Sequence, residues 1–310
     1  MGVVTMNDKI FVSIASYRDK DLENTIRDLY TKAKFPKNLF FSIVSHEFKG
    51  EEADLSWLDP SQYKYVQLSY KEATGVCQAR ALANSIMTEE WRFFMQIDSH
   101  TRVIGYWDYW IMKDYEEFSK YWGEDYIISK YPLAFGVNWE EKARVQILEP
   151  LAQYNTIFPL WREEENIYVM WQAPLKDTKK GDRVYGFAGN FSFGSTKSML
   201  QIPYDPELYF LGEEISLGAR AYCKGINIVS IPTNVAFTNY DRDNIRNGHH
   251  WDDHDWHKMD IKSRKRLMDI FSLKDLGEYG IADADKFEQF QKEANIKLKG
   301  RDLVRNYPKA

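Results

Sequence analysis

An apolar run, Phe93-Phe94-Met95-Gln96-Ile97, ends on Asp98-Ser99-His100. The run reads as a buried strand. It delivers a carboxylate and an imidazole two residues apart, so both can point to the same side of the chain. Such a pair can clamp a divalent cation at the carboxyl end of a strand, where open α/β sheets bind ligands. An ionised Asp and a neutral His are the ligating forms, and both are populated near pH 7 without special tuning. A cation held there would neutralise a diphosphate as it leaves a transferred group. Mn2+ suits this mixed oxygen and nitrogen donor set, with Mg2+ as the alternative.

A third protein ligand must come from far along the chain, because residues 101–248 contain no His. The run His249-His250-Trp251-Asp252-Asp253-His254-Asp255-Trp256-His257 is the only downstream source of imidazole. His249 is the first choice and His250 the second. His254 and His257 are three apart and could share a helix face, which leaves a separate site or a plain surface loop open. Glu213-Glu214 opens a helical stretch, where the helix dipole favours acids. The functional reading puts one of these carboxylates at the transferred group or at the acceptor. Arg18, in Ser16-Tyr17-Arg18-Asp19, follows the first strand. Arg80 lies among Ala and Leu on a helix beside the sheet. Each is a phosphate contact or a partner to a buried carboxylate.

The elements that must position these groups alternate. Residues 10–15 read as a first strand and 22–34 as an amphipathic helix, with Leu22, Ile26, Leu29, Tyr30 and Ala33 on one face. Strands at 39–45 and 65–69, a helix at 75–87, the strand feeding Asp98, a helix at 107–121 and a strand at 126–129 follow. Strand, helix, strand implies parallel pairing. Residues 8–132 therefore form one nucleotide-binding α/β half. Residues 133–257 form a second, β-rich and aromatic half. In it Gly189, next to Asn190, allows close backbone approach to a ligand. Residues 258–310 read as a helical, basic extension. They hold 13 Lys or Arg against 9 Asp or Glu, a balance of +4 in a chain whose net charge is −5. The acidic remainder argues against strong nonspecific nucleic-acid binding. Arg264-Lys265-Arg266 reads as a solvated helix face.

Two cysteines, Cys77 and Cys223, with no CxxC, support neither a zinc ribbon nor a disulfide framework. No run of 18 apolar residues and no signal-peptide pattern occurs, so a cytoplasmic protein with no membrane partner is expected. Aromatics make up 15% of residues, enough flat surface for a sugar or a base to stack on, or simply a Tyr-rich core.

Residues 10–34, 75–80, Phe94–Thr101 (FMQIDSHT) with Trp107-Asp108, Tyr131-Pro132, residues 202–206 (IPYDP) and 210–216 (FLGEEIS) occur in one order. Together they resemble the cytosolic polypeptide α-N-acetylglucosaminyltransferases that modify hydroxyproline, over roughly residues 8 to 235. Asp98-Ser99-His100 is more distantly similar to the Asp-x-His motif of mucin-type GalNAc transferases, which also use a later His. The resemblance implies an α/β, GT-A type nucleotide-diphospho-sugar transferase fold: a mixed central sheet flanked by helices. It also implies a UDP-sugar donor, a divalent metal and retention of anomeric configuration.

By the same resemblance, Asp98 and His100 meet metal and diphosphate, and Ser16, Tyr17, Arg18 and Arg80 lie at the nucleotide. Ser99, Gly189, Asn190 and Arg242 are expected at the donor. Glu213 and Glu214, with Asp98, are the expected catalytic carboxylates. One departure stands out. The family pattern His-x-Tyr-x-Arg reads Thr238-Asn239-Tyr240-Asp241-Arg242 here. Metal binding has then moved to His249 or His250, or fewer protein ligands are used. The function expected is transfer of a hexose or N-acetylhexosamine to a hydroxyl on a polypeptide, a glycan or a hydroxymethylated DNA base. The alternative is an inactive sugar- or nucleotide-binding relative.

Overall fold

The computed structural model describes residues 8–138, 144–147, 154–240 and 249–305. The chain runs β1 (Ile10–Tyr17), α1 (Leu22–Lys32), β2 (Leu39–Glu47), β3 (Tyr63–Ser69), α2 (Val76–Asn84), β4 (Phe93–Asp98), β5 (Thr101–Val103), α3 (Trp107–Trp122) and β6 (Tyr126–Ser129). It continues through β7 (Leu133–Asn138), β8 (Arg144–Ile147), β9 (Asn155–Arg162), β10 (Ile167–Pro174), β11 (Asp182–Arg183), β12 (Phe191–Ser195), α4 (Thr196–Gln201), α5 (Glu213–Cys223), β13 (Asn227–Ser230) and β14 (Ala236–Thr238). Three helices close the described chain: α6 (His250–Asp253), α7 (Trp256–Phe271) and α8 (Ala284–Ala294).

Among the described residues the main sheet has eight strands in the order β11-β13-β6-β12-β4-β1-β2-β3. β4, β1, β2 and β3 are mutually parallel. β12 runs antiparallel between β4 and β6, which makes the sheet mixed. The central strands are buried on both faces, and their period of two sorts side chains into two cores. Ile10, Val12 and Ile14, with Phe93, Met95 and Ile97, pack on the side of α1 and α3. Phe11 and Phe94 pack on the opposite side with α5, α7 and α8. The result is the three-layer α/β arrangement of the GT-A fold. A second sheet, β5-β14-β7-β8, and the hairpin β9-β10 stand apart from it.

The Trp107-Asp108 motif is architectural. Trp107 is fully buried and donates its indole N–H to Leu29 O at 2.9 Å. The Asp108 carboxylate, 0% exposed, accepts from the backbone N–H groups of Lys34 and Phe35 at 2.7 and 2.8 Å, tying the exit of α1 to the start of α3.

Residues 258–303 share the main core: Leu267, Phe271, Phe287, Phe290, Leu298 and Leu303 belong to the cluster that includes α5. The basic triplet is therefore not the solvated face the sequence suggested. Arg264 is 0% exposed, pairs with Asp260 and donates to Glu165 O and Leu303 O. Arg266 binds Asp205 at 2.7 Å. A buried guanidinium is tolerated because each is paired and hydrogen-bonded. No helix among the described residues is long and apolar enough to cross a membrane.

Candidate active site

One cleft of about 380 Å³ opens at the carboxyl ends of β1, β2 and β4. Asp98 closes β4, and Ser99-His100 forms the turn into β5. His100 is 1% exposed. Its Nδ1 lies 2.8 Å from Asp19 Oδ2, and Ser99 Oγ donates to the same oxygen at 2.6 Å. With Nδ1–H donating to Asp19, the lone pair of Nε2 faces Asp98. Nε2 is buried, makes no hydrogen bond and sits 3.5 Å from Asp98 Oδ2. Burial works against a charged His100, yet the Asp19 hydrogen bond and the nearby Asp98 carboxylate outweigh burial and raise its pKa. The two carboxylates beside the ring favour positive charge at this position. An orphaned imidazole nitrogen beside a carboxylate, with a carboxylate behind the ring, is a donor set that fits such a cation.

The two glutamates part company. Glu213 is buried, and both its oxygens are engaged. Oε1 accepts from Arg80 at 2.6 Å and Oε2 from the Cys77 thiol at 2.8 Å. Arg80, buried on α2, also donates to Gly189 O at 2.7 Å and reaches Asp98 Oδ1 at 3.4 Å. Glycine at 189 is required here, because a Cβ would lie 2.6 Å from the Arg80 guanidinium. Glu214 is half-buried in the cleft wall and accepts from Gly189 N at 2.8 Å and from Tyr131 OH at 3.0 Å. Burial, then the charge of Glu213, pushes its pKa up to about 8. Gly212 sets the pair at the head of α5, with φ +90.

At the other end, Ser16 and Tyr17 line the cleft. Tyr17 OH donates to Asp253 at 2.7 Å, and Arg18 donates to the same oxygen at 2.5 Å. Arg18 holds φ 48 and lays its guanidinium 4.4 Å over the Phe48 ring. It is not among the cleft-lining residues; Ser16, Tyr17, Arg80, Asp98, Ser99, His100, Gly189, Asn190, Glu213 and Glu214 all are. The structure does not bring His249 to Asp98 and His100. Its ring stacks on Trp251 at 4.5 Å and faces Asp252. Among the described residues no three His, Cys, Asp or Glu side chains converge as a metal-binding group. His250 does line the cleft, but both its nitrogens are engaged, by Tyr209 OH and by Ala73 O. His254 lies between α6 and α7, bonded to Tyr70 O, so it shares no helix face with His257. Arg242 lies outside the described residues. Thr238, at the position of the family histidine, is buried beside His100 O.

Sequence reasoning missed Asp19 and His46, and it named Tyr131 as part of a motif without giving it a place in the site. Asp19 stood in the same turn as Arg18, and an acid there was the available signal. For His46, at the end of parallel β2, the available signal was its place at a strand's carboxyl end.

The fold is that of the GT-A glycosyltransferases. The chain matches the family described as Glycosyltransferase (GlcNAc) over residues 9–65 and 54–297, and it belongs to that family. The fold is similar to that of GalNAc-T7, crystallised with UDP, GalNAc and Mn2+, with a TM-score of 0.56 and 15% identity. The match covers 93% of this chain and 55% of that one, so this chain spans about half of that protein's length. S. aureus TarS is also similar, at 16% identity and a TM-score of 0.48, over 93% of this chain and 43% of that one. No curated protein sequence matches the chain.

Proposed function

We propose that this protein is a metal-dependent, retaining glycosyltransferase that moves a hexose or N-acetylhexosamine from a UDP-sugar to a hydroxyl acceptor. The observation that carries this reading is the orphaned His100 Nε2 beside Asp98, midway along a cleft with a polar, aromatic end at β1 and β2 and a carboxylate end at α5. Asp98 and His100 would hold Mn2+ or Mg2+, which supplies charge neutralisation to a departing diphosphate.

The chain's own groups account for the rest. Asp19 fixes the His100 tautomer. Arg80 keeps Asp98 and Glu213 apart by standing between them. Glu213, with both oxygens engaged, is a positioning residue. Glu214 is the carboxylate that faces the sugar, with an acidity that lets it either donate or accept a hydrogen bond near neutral pH. No general base is required if the leaving diphosphate takes the acceptor proton on the face it leaves. Exposed Trp171, Phe210 and Trp251 rim the cleft. Flat rings give the acceptor side a surface on which a sugar ring or a base can stack.

The test is UDP release from UDP-Glc, UDP-Gal, UDP-GlcNAc and UDP-GalNAc, with and without Mn2+, by wild type and Asp98→Ala. Mn2+-dependent release from at least one donor, lost in the variant, is expected. Thr238 at the family's His position favours the inactive relative as the second reading. Nucleotide binding with no release from any donor would select it. Absence of both binding and release would overturn the proposal.

A further inference from the structure

The hairpin β9-β10 is a two-stranded sheet of its own, and Val169, Met170 and Trp171 of β10 line the cleft. Tyr131, just past β6, holds the base of this hairpin at both strands. Its backbone carbonyl accepts from Asn155 Nδ2 on β9 at 3.0 Å, and its hydroxyl lies 3.2 Å from Met170 O on β10. The same hydroxyl lies 3.0 Å from Glu214 Oε2. The Met170 carbonyl has no ladder bond to fall back on. It is in register with Pro159, which has no N–H to give.

A phenol has one proton and donates it to one acceptor at a time. Burial, then Glu214, holds the Tyr131 phenol far above its ordinary range, so the proton stays on its oxygen. Two arrangements follow. When Glu214 is ionised, its carboxylate takes the phenol proton in a charge-assisted bond, and Met170 O loses its donor. When Glu214 is neutral, its own O–H donates to the phenol oxygen, and the phenol donates to Met170 O. Gly189 N serves Glu214 Oε1 in both. The charged and titratable groups around this pair are Glu213 on α5, Arg80 on α2 and Tyr240 past β14. On the hairpin, Arg162 lines the cleft and faces Glu165 at 3.8 Å.

We propose that Tyr131 is a positioning residue that shares one proton between Glu214 and the hairpin. Neutral Glu214 lets the phenol dock β10. Ionised Glu214 draws the phenol proton to itself and loosens β10 by one hydrogen bond. The charge on Glu214 is thereby passed to the wall that carries exposed Trp171. The place of Glu214 at the sugar rests on the function proposed above, whereas the proton link stands on the hydrogen bonds alone.

The test is amide hydrogen exchange over residues 155–174 of the full chain, without donor, at pH 6 and pH 9. Rates are corrected for intrinsic pH dependence and compared for wild type, Glu214→Gln and Tyr131→Phe. The two pH values straddle the Glu214 pKa of about 8. Loss of one hydrogen bond predicts about threefold to tenfold lower protection in wild type at pH 9 than at pH 6. Glu214→Gln is neutral throughout, and its amide N–H replaces the carboxyl O–H. Its protection should stay within about twofold of the wild-type pH 6 value at both pH values. Tyr131→Phe should show the low value at both. Equal protection at the two pH values in wild type, or a fall of the same size in Glu214→Gln, would overturn the inference even if Tyr131→Phe did not fold. UDP release tests the transferase reading separately. No release from any donor, with the pH-linked exchange intact, would take the sugar away from Glu214 and leave the Tyr131 link standing.

Discussion

Arg80 and Glu213 meet at 2.6 Å in the floor of the cleft, each side chain only 5% exposed. The same guanidinium reaches Asp98 at 3.4 Å. One guanidinium thus serves two carboxylates, one structural and one at the proposed metal position. Removing Glu213 leaves the buried guanidinium with the Gly189 carbonyl and the more distant Asp98 carboxylate, and removing Arg80 leaves both acids without their shared cation. Breaking a buried pair on one side costs about 3–5 kcal/mol, whereas replacing both partners by apolar groups is often near neutral. Glu213→Leu and Arg80→Met are each expected to lower the melting temperature sharply. The Glu213→Leu/Arg80→Met double variant should recover much of that loss while staying inactive. Additive losses in a double-mutant cycle would show that the pair does not act as a unit.

Glu214 gives the protein a pH signature. Its folded-state pKa is raised to about 8, by burial first and then by Glu213, from an ordinary value of 4.5. A raised carboxylate binds its proton more tightly in the folded state, so its contribution is fully present below about pH 4.5 and is lost as pH rises towards 8. Glu214→Gln carries no such charge. The variant's stability relative to wild type should therefore improve from pH 5 to pH 8, measured by urea unfolding at several pH values. A constant difference across that window would place the Glu214 pKa near its ordinary value.

The sequence made some of this legible and hid the rest for physical reasons. Strands β1, β2, β4 and β6 were readable because a strand buried on both faces is a continuous apolar run. The Asp98 and His100 pair was readable because both residues sit in one local turn. The division of labour between Glu213 and Glu214 was not, since it depends on Arg80, Cys77 and Tyr131, which arrive from distant elements. The role of the late histidines was hidden in the same way. Adjacent in sequence, His249 and His250 point to different neighbours, one to Asp252 and Trp251 and the other to Tyr209 and Ala73. The basic composition of residues 258–310 gave no sign that Arg264 is buried, because its partners are mostly backbone carbonyls of Glu165 and Leu303.

Asp108 separates architecture from chemistry. Its carboxylate serves the Lys34 and Phe35 amides and does not line the cleft. Asp108→Ala leaves two backbone N–H groups without their acceptor and should cost about 2–4 kcal/mol. Donor affinity at temperatures well below unfolding should be unchanged. A selective loss of donor binding at full stability would mean that the Trp107-Asp108 motif acts on the ligand after all.

The metal assignment predicts a graded series. Asp98→Ala and His100→Ala each remove a ligand and should abolish saturable Mn2+ binding in the presence of UDP. Asp19→Asn keeps both ligands but weakens the acceptor that holds the His100 ring, and loss of such a supporting carboxylate typically costs about 10–100-fold in metal affinity. His249→Ala should leave Mn2+ affinity at the wild-type level, since its ring is turned to Trp251 and Asp252. Isothermal titration with Mn2+ at saturating UDP measures all four. If His249→Ala weakened binding as much as His100→Ala, the late histidine would be a ligand in the donor-bound state, and residues 249–257 would have to move to bring it there.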